Sequence, residues 1–153
     1  MIFISHRGNI DGKINEMENS PKYIEDAINL GYDVEIDVWR IDDKFYLGHD
    51  EPVYEIDLSW LDVFKKKLWV HCKNVECLVY FNLNRIDLNY FWHDQDTAIL
   101  TSKKYIWGKE NKTLIQNSIA MIPYFYDINY YNCVGVCSDQ IKKFKTDYEK
   151  TRH

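Results

Sequence analysis

The segment from residue 32 to residue 39 constrains the fold of this chain more than any other. Val34, Ile36 and Val38 share one face of an extended strand, and Glu35 and Asp37 share the other face. A surface strand of an antiparallel sheet would show the same alternation, with its carboxylates in solvent. The neighbouring segments favour a different interpretation, in which the two acids belong to a functional site.

Those neighbouring segments alternate between strands and helices. Ser20 and Pro21 are typical of a helix N-cap and first helical residue, and Gly31 ends that helix. The pattern continues with an apolar strand over 2–5, an extended piece over 44–47, a helix over 59–67, a strand over 68–72 and a helix over 75–84. This order predicts parallel strands joined by right-handed crossovers.

The second half of the chain reads differently, because its strands are short and its connections leave little room for helices. Strands are predicted over 88–92, 98–100, 105–107, 119–122 and 134–137, and a terminal helix over 141–149. A complete (β/α)8 barrel takes roughly 200 residues or more, and this chain has 153. We therefore predict an α/β fold of one domain, residues 1–153: a small or truncated TIM-like (β/α) barrel with several helices of the second half shortened or missing. Trp107 and Tyr124 are expected in its core.

Polar residues cluster where the predicted strands end. His6 and Arg7 close the first strand, and His71 and Lys73 close a later one on a shared face. The carboxyl ends of parallel barrel strands meet on one side of the fold, where active sites are built. Four of the five histidines fall at such ends, namely His6, His49, His71 and His93.

These residue types suit the cleavage of a phosphate ester. Two carboxylates on one strand face can hold Mg²⁺ or Ca²⁺ through oxygen ligands, and the cation draws charge off the phosphate oxygens. An arginine can bind the phosphate through two parallel hydrogen bonds. Two histidines can act as general acid and base, because imidazole titrates near neutral pH.

Four motifs in the first third of the chain resemble the glycerophosphodiester phosphodiesterase signature in order and spacing. They are HRG at residues 6–8, ENS at 18–20, EIDV at 35–38 and GHD at 48–50. Two further segments, VHCK at 70–73 and GVCSD at 135–139, are similar to the family's next and last strands. The resemblance implies a TIM-like barrel of the superfamily that includes sphingomyelinase D and phosphatidylinositol phospholipase C.

The resemblance also implies roles for individual residues. Glu35 and Asp37 would bind the metal, His6 and His49 would form the acid/base pair, and Arg7 would contact the phosphate. It does not say which histidine is the acid, or whether a cyclic phosphate forms first.

Two positions extend or modify these implied roles. Lys73 would be a second phosphate contact. His71 stands where most members place an acidic third ligand, which should favour Mn²⁺ or another metal that accepts nitrogen over Mg²⁺ and Ca²⁺.

Four further residues are candidates for the lining of the pocket. Trp92, His93 and Asp139 lie at or just after the ends of predicted strands, although Asp139 could equally cap the terminal helix. Glu18 precedes a helix cap and could instead hold a loop by accepting backbone N–H bonds.

Composition and sequence pattern argue against several other classes of protein. The net charge of −5 and the absence of a long basic run disfavour nucleic-acid binding. The sequence contains no apolar run long enough to span a membrane and no signal-peptide pattern, so we expect a cytoplasmic protein without membrane insertion. The four cysteines have neither zinc-knuckle nor redox spacing and are expected to be buried thiols.

The favoured hypothesis is a metal-dependent phosphodiester hydrolase acting on a small-molecule or glycan-linked phosphodiester. The alternative is a catalytically inactive module of the same fold that binds a phosphate or phosphodiester. The presence of both His6 and His49 favours the enzyme, because binding alone does not need an acid/base pair. The sequence leaves the oligomeric state open.

Overall fold

Residues 1–109, 115–123 and 132–151 are described by a computed structural model. Tyr124 lies outside these ranges. The strands are β1 (Ile2–His6), β2 (Asp33–Ile41), β3 (Lys44–Leu47), β4 (Tyr54–Ile56), β5 (Leu68–Cys72), β6 (Asn89–Phe91), β7 (Ala98–Leu100), β8 (Ile106–Gly108), β9 (Ser118–Met121) and β10 (Gly135–Ser138). The helices are α1 (Pro21–Asn29), α2 (Leu58–Phe64), α3 (Val75–Asn84) and α4 (Ile141–Lys150).

Seven strands form a continuous parallel sheet. Their order is β6-β5-β2-β1-β10-β9-β8, so the first strand of the chain lies beside the last. β7 adds to β8 in the antiparallel direction. The strand-helix-strand order of the first half therefore gives the parallel pairing that the sequence predicts.

The sheet is strongly curled, which brings its two ends together through side chains. The ring of Trp107 on β8 lies 4.8 Å from the ring of Phe91 on β6 and 5.8 Å from the ring of Trp69 on β5, between centroids. Within the described ranges, no backbone pairing joins β6 to β8. These rings pack with Ile4, Ile119, Met121 and Cys137 on the inner face of the sheet.

The outer face of the first half is covered by helices. Val34, Ile36 and Val38 of β2 are fully buried there against α1, α2 and α3. Because side chains alternate along a strand, Glu35 and Asp37 face the inside of the curl. The alternation in residues 32–39 thus reflects two buried faces, one apolar and one polar.

The described part of the second half carries far less helix. Among the described residues between β6 and β10 there is no α-helix, and α4 then packs against β1 and β10 through Ile141 and Phe144. The α/β class, and the shortage of helices in the described part of the second half, are therefore as the sequence predicts.

A hairpin on β2 departs from the predicted parallel order. β3 returns antiparallel to β2 after a turn at Asp42 and Asp43, whose φ values of 47° and 64° suit the tight turns of hairpins. β4, which the sequence analysis missed, pairs with β3. His49 therefore follows an antiparallel strand. The prediction that it lies at the end of a parallel strand is wrong.

Two predictions from composition can be compared with the structure. All four cysteines are buried thiols. None of the helices in the described part of the chain has the length and apolarity needed to cross a bilayer.

Candidate active site

A cavity of about 330 Å³ opens at the carboxyl ends of the parallel strands. It is lined by charged and imidazole groups on one side and by aromatic and apolar groups on the other. The lining residues are His6, Arg7, Glu35, His49, His71, Lys73, Phe91, His93, Asp94, Trp107, Lys109, Met121 and Ile122. The structure thus brings together most of the residues that the sequence nominated.

Asp37 is the centre of the hydrogen-bond network beside this cavity. Its carboxylate is fully buried and contacts Arg7 Nε at 3.0 Å, Asn19 Nδ2 at 2.9 Å, His49 Nδ1 at 3.2 Å and His71 Nδ1 at 2.9 Å. Burial raises the pKa of Asp37, but the hydrogen bonds from the two imidazoles and the charge of Arg7 outweigh it. The pKa therefore lies well below its usual range, and Asp37 is a carboxylate that organises its donors.

Glu35 lies two residues earlier on the same strand face but in the opposite electrostatic situation. Burial, reinforced by the negative charge of Asp37, raises its pKa well above the usual range. Its Oε2 atom is buried without a hydrogen-bond partner and lies 3.8 Å from His6 Nε2, which is also unpartnered. Buried polar atoms are rarely left unsatisfied, so this pair marks a place for a ligand.

His6 is oriented by an acid from the other end of the chain. Its Nδ1 lies 2.7 Å from Asp139 Oδ1, just after β10, which pairs with β1. Burial raises the pKa of Asp139, but the hydrogen bond and charge of His6 outweigh this effect and lower the pKa. The ionised carboxylate therefore accepts a hydrogen bond from Nδ1–H of His6. Nε2 is thereby left to face the cavity and Glu35.

His49 has a defined tautomer because of its two neighbours. Arg7 Nη2 lies 3.3 Å from His49 Nε2, and arginine can only donate, so Nε2 is the acceptor. The proton then sits on Nδ1, which donates to Asp37. In both candidate acid/base histidines, Nδ1–H therefore donates to a carboxylate, and Nε2 faces Arg7 or the cavity.

Arg7 adopts a left-handed backbone with φ 56°, which is unusual outside glycine and is typical of functional sites. Gly8 follows with φ 94°, and a Cβ there would lie 2.5 Å from the ring of Tyr23. Glu18 Oε2 lies 3.2 Å from Arg7 Nη1, so Glu18 has a direct role in the site network. Burial lowers the pKa of Arg7, but the surrounding carboxylates outweigh this effect and raise the pKa. The guanidinium therefore stays charged.

His71 is clamped in an aromatic stack. Its ring lies nearly parallel to Phe91 and His93, with centroids 5.3 Å and 4.6 Å away. Nδ1 is thus directed at the carboxylates, 2.9 Å from Asp37 and 3.9 Å from Glu35. Burial and the neighbouring His71 lower the pKa of His93, whose ring closes the stack at the cavity.

Two groups of side chains have the spacing of metal ligands. Glu35, Asp37 and His71 offer one ligand atom each within 4.8 Å of one another, and all three are buried. The unpartnered Glu35 Oε2 makes this group a suitable cation site.

The second group is formed by His6, Glu18 and Asp139. Asn9 Nδ2 bridges its two acids, at 2.7 Å from Glu18 and 2.9 Å from Asp139. At least one oxygen of each acid is therefore already hydrogen-bonded to the protein.

Of the remaining predicted site residues, Lys73 lines the cavity and Trp92 does not. Lys73 lies 3.8 Å from Asp37 Oδ1 and is mostly buried, with its ammonium at the cavity. Trp92 does not line the cavity and is 38% exposed. Since Phe91 and His93 face inward, strand alternation turns Trp92 outward.

Two asparagines of the site were missed. Asn9 fixes Glu18 and Asp139, and Asn19 both donates to the Asp37 carboxylate and accepts from its backbone N–H at 3.0 Å. Asn19 has φ 61°, a conformation that asparagine tolerates well. Its place inside the ENS motif was the available signal.

Comparisons with protein-family models and with curated proteins found no match for this chain.

Proposed function

We propose that this protein is a metal-dependent phosphodiester hydrolase of the glycerophosphodiester phosphodiesterase type, built on a reduced TIM-like barrel. One observation carries the proposal. Two histidines, His6 and His49, each hold Nδ1 on a carboxylate, Asp139 and Asp37 respectively. Nε2 of His49 contacts Arg7, and Nε2 of His6 lies unpartnered beside Glu35. Such a pair of oriented imidazoles beside a fixed cationic donor suits acid/base cleavage of a phosphate ester.

The residues present fit a divalent cation. Glu35, Asp37 and His71 would hold it, and the buried, unpartnered Oε2 of Glu35 is the atom most in need of one. When bound, such an ion draws negative charge off the phosphate oxygens. The stack on His71 keeps a nitrogen ligand pointing at the two carboxylates.

The protein's own groups account for the remaining chemistry. Arg7 and Lys73 bind the phosphate oxygens. When Arg7 turns its Nη2 to the phosphate, it releases His49 Nε2, which until then accepts from it. One neutral imidazole then takes the proton of the attacking hydroxyl, and the other, protonated, gives a proton to the departing alcohol oxygen.

The alternative, a phosphate-binding module without turnover, would use Arg7 and Lys73 alone. It gives no reason for His6 to be oriented by Asp139 with Nε2 left unpartnered. The enzyme is therefore the better account of the same geometry.

The test is an activity measurement on the full chain. Purified protein is incubated with a panel of phosphodiesters and Mg²⁺, Ca²⁺ or Mn²⁺, beside the variants His6→Gln and Asn84→Ala. We expect metal-dependent turnover. His6→Gln should lower the rate by about 10²–10⁴-fold, the usual contribution of a general acid or base. Asn84→Ala should retain the native rate, because Asn84 is exposed on α3. Phosphate binding without turnover on any substrate would favour the module.

A further inference from the structure

A second cavity, of about 350 Å³, lies at the opposite end of the parallel strands from the candidate active site. We call it the amino-end cavity, because residues at the starts of β1, β2, β5 and β6 help to form it. Its lining residues are Ile2, Asp33, Lys65, Lys66, Leu68, Trp69, Asp87, Asn89, Lys103 and Tyr105. None of them lines the active-site cavity, and the volume is in the range of small-molecule sites, roughly 300–1,000 Å³.

Cations predominate around the amino-end cavity, although the whole chain has a net charge of −5. Three lysines and two acids line it, namely Lys65, Lys66, Lys103, Asp33 and Asp87. Both acids are also paired from outside the lining, Asp33 with Lys67 Nζ at 2.9 Å and Asp87 with Arg85 Nε at 3.0 Å. Cations still outnumber acids when Asp62, the other partner of Arg85, is counted. This end of the sheet therefore attracts an anion.

Two of the lysines are held at one short segment of the chain, residues 86–87. Lys65 Nζ lies 3.2 Å from Asp87 Oδ2, and Lys103 Nζ donates to the carbonyl of Ile86 at 2.5 Å. An ammonium group has three donors, so each lysine keeps donors for a ligand. Lysine binds phosphate as a compact point charge, so a phosphate group suits this segment.

A buried acceptor in the same lining has no donor. Asn89 Oδ1 is buried without a hydrogen-bond partner in the described part of the chain. Asn89 pairs in register with Trp69 across β5 and β6, so both side chains lie on the inner face of the curled sheet. Leaving such an acceptor unpaired is costly and uncommon. It therefore marks a place for an N–H or O–H group of a ligand.

An aromatic surface lies beside this acceptor. The rings of Trp69 and Tyr105 are 4.9 Å apart between centroids and tilted by 57°. The indole is buried and fixed by its Nε1, which donates to Asp33 at 3.1 Å. Tyr105 is half-buried and lines the cavity, so a flat ring of a ligand can stack on it.

These features correspond to the parts of a mononucleotide. We propose that the amino-end cavity binds a nucleoside monophosphate whose base carries an exocyclic amino group, such as AMP. The phosphate lies at Lys65, Lys66 and Lys103, the base stacks on Tyr105, and its amino group donates to Asn89 Oδ1. The side-chain amide of asparagine matches adenine in particular, because its oxygen accepts from the amino group while its nitrogen donates to a ring nitrogen.

Calorimetry on the full chain without divalent metal tests this assignment with four probes. AMP is compared with purine riboside 5′-monophosphate, which has hydrogen in place of the amino group, with adenosine and with ribose 5-phosphate. Each of the last three lacks one of the contacts that AMP makes. AMP should therefore bind about 10-fold or more tighter than each of them.

Four variants locate the binding site. Asn89→Leu should remove the preference for AMP over purine riboside 5′-monophosphate, and Lys66→Gln should weaken AMP binding by about 2- to 5-fold. Lys22→Gln removes the same charge from α1, where that side chain is 75% exposed, and Lys73→Gln removes it from the active-site cavity. Neither control should weaken AMP binding.

Thermal unfolding without ligand shows whether Asn89→Leu folds; if it does not, the probe comparison and Lys66→Gln decide. The proposal is overturned if AMP binds no tighter than purine riboside 5′-monophosphate, or if Lys66→Gln leaves AMP binding unchanged. It is also overturned if Lys73→Gln weakens AMP as much as Lys66→Gln, because the nucleotide would then lie in the active-site cavity. No diester or metal enters the measurement, so the result is independent of the proposed hydrolase activity.

Discussion

The two halves of this small protein support the site in different ways. In the first half, α1, α2 and α3 cover the sheet, and the site residues Glu35, Asp37 and His71 stand on the covered strands. In the second half, the described residues between β6 and β10 contain short strands without a helix. The groups that we propose as acid, base and metal ligands therefore come mainly from the helix-backed half, and the other half mainly supplies cavity wall.

Asp139 is the exception that joins the two halves. It follows β10, but β10 lies beside β1, so its carboxylate reaches His6 at 2.7 Å. Fixing a functional side chain requires neighbours that cannot move, and packed parallel strands provide them. In the described part of the chain, helices thus stand behind the strands that carry most of the site residues, and the strands that only form the cavity wall lack them.

The largest effect should come from the carboxylate at the centre of the first half. Asp37→Asn removes the charge that Arg7, His49 and His71 share, so the buried Arg7 guanidinium loses its 3.0 Å contact to Asp37 and keeps its pairing with Glu18. Breaking a buried ion pair costs about 3–5 kcal/mol, so the free energy of unfolding in urea should fall by that amount. Asp50→Asn, 95% exposed at its side chain, is the control and should change it by less than about 0.5 kcal/mol. Equal stability of the two variants would contradict the central role of Asp37.

A pair of core truncations compares the two halves directly. Phe81 is fully buried under the helix-backed half, and Met121 is 9% exposed at the cavity wall of the other half. Phe81→Ala should cost about 3–5 kcal/mol and Met121→Ala about 2 kcal/mol, because the second site already borders a cavity. If denaturant unfolding shows that Met121→Ala is the more destabilising change, the proposed difference between the two halves is wrong.

A single methyl group added in the turn that carries His49 should lower the stability of the protein. A Cβ on Gly48 would lie 2.0 Å from the carbonyl oxygen of Glu51, whereas a Cβ on Gly12 would meet nothing within 4 Å. Both glycines have positive φ, so both alanine variants carry backbone strain. We expect Gly48→Ala to cost over about 1 kcal/mol more than Gly12→Ala, and thermal unfolding of both variants measures the difference. Equal melting temperatures would mean that the loop can relax without cost.

The sequence predicted the parts of the fold that follow from local periodicity. α1 and α3 begin and end within a residue of the expected positions, because Ser20, Pro21 and Gly31 are strong local signals and residues 75–84 keep a helical pattern. The strand pattern of residues 32–39 also placed both acids on one face. These features depend on residues close together in the chain.

Other features depend on contacts that no local pattern encodes. The three-residue strand β4 forms because β3 offers it an edge, and its own residues are too few to show a period. The network of Asn9 and Asn19 depends on acids far along the chain, up to Asp139. Alternation along the strand places Trp92 and His93 on opposite faces, but it does not say which face is inward. Only the position of the cavity shows that His93 faces inward and Trp92 outward.

The smallest effect is expected on the outer side of the helix-backed half. Val75, Val79 and Leu83 of α3 lie along one helix face and are 57%, 49% and 72% exposed, although the opposite face packs Phe81 against the sheet. Leu83→Ser removes apolar surface that water already contacts, so the free energy of unfolding should change by no more than about 0.5 kcal/mol at any protein concentration. Phe81→Ala, two residues away, is the matched buried change. A loss above 1 kcal/mol that grows with protein concentration would mean that this face is covered in solution. The stability of the first half would then depend partly on a contact outside the chain and not only on its own helices.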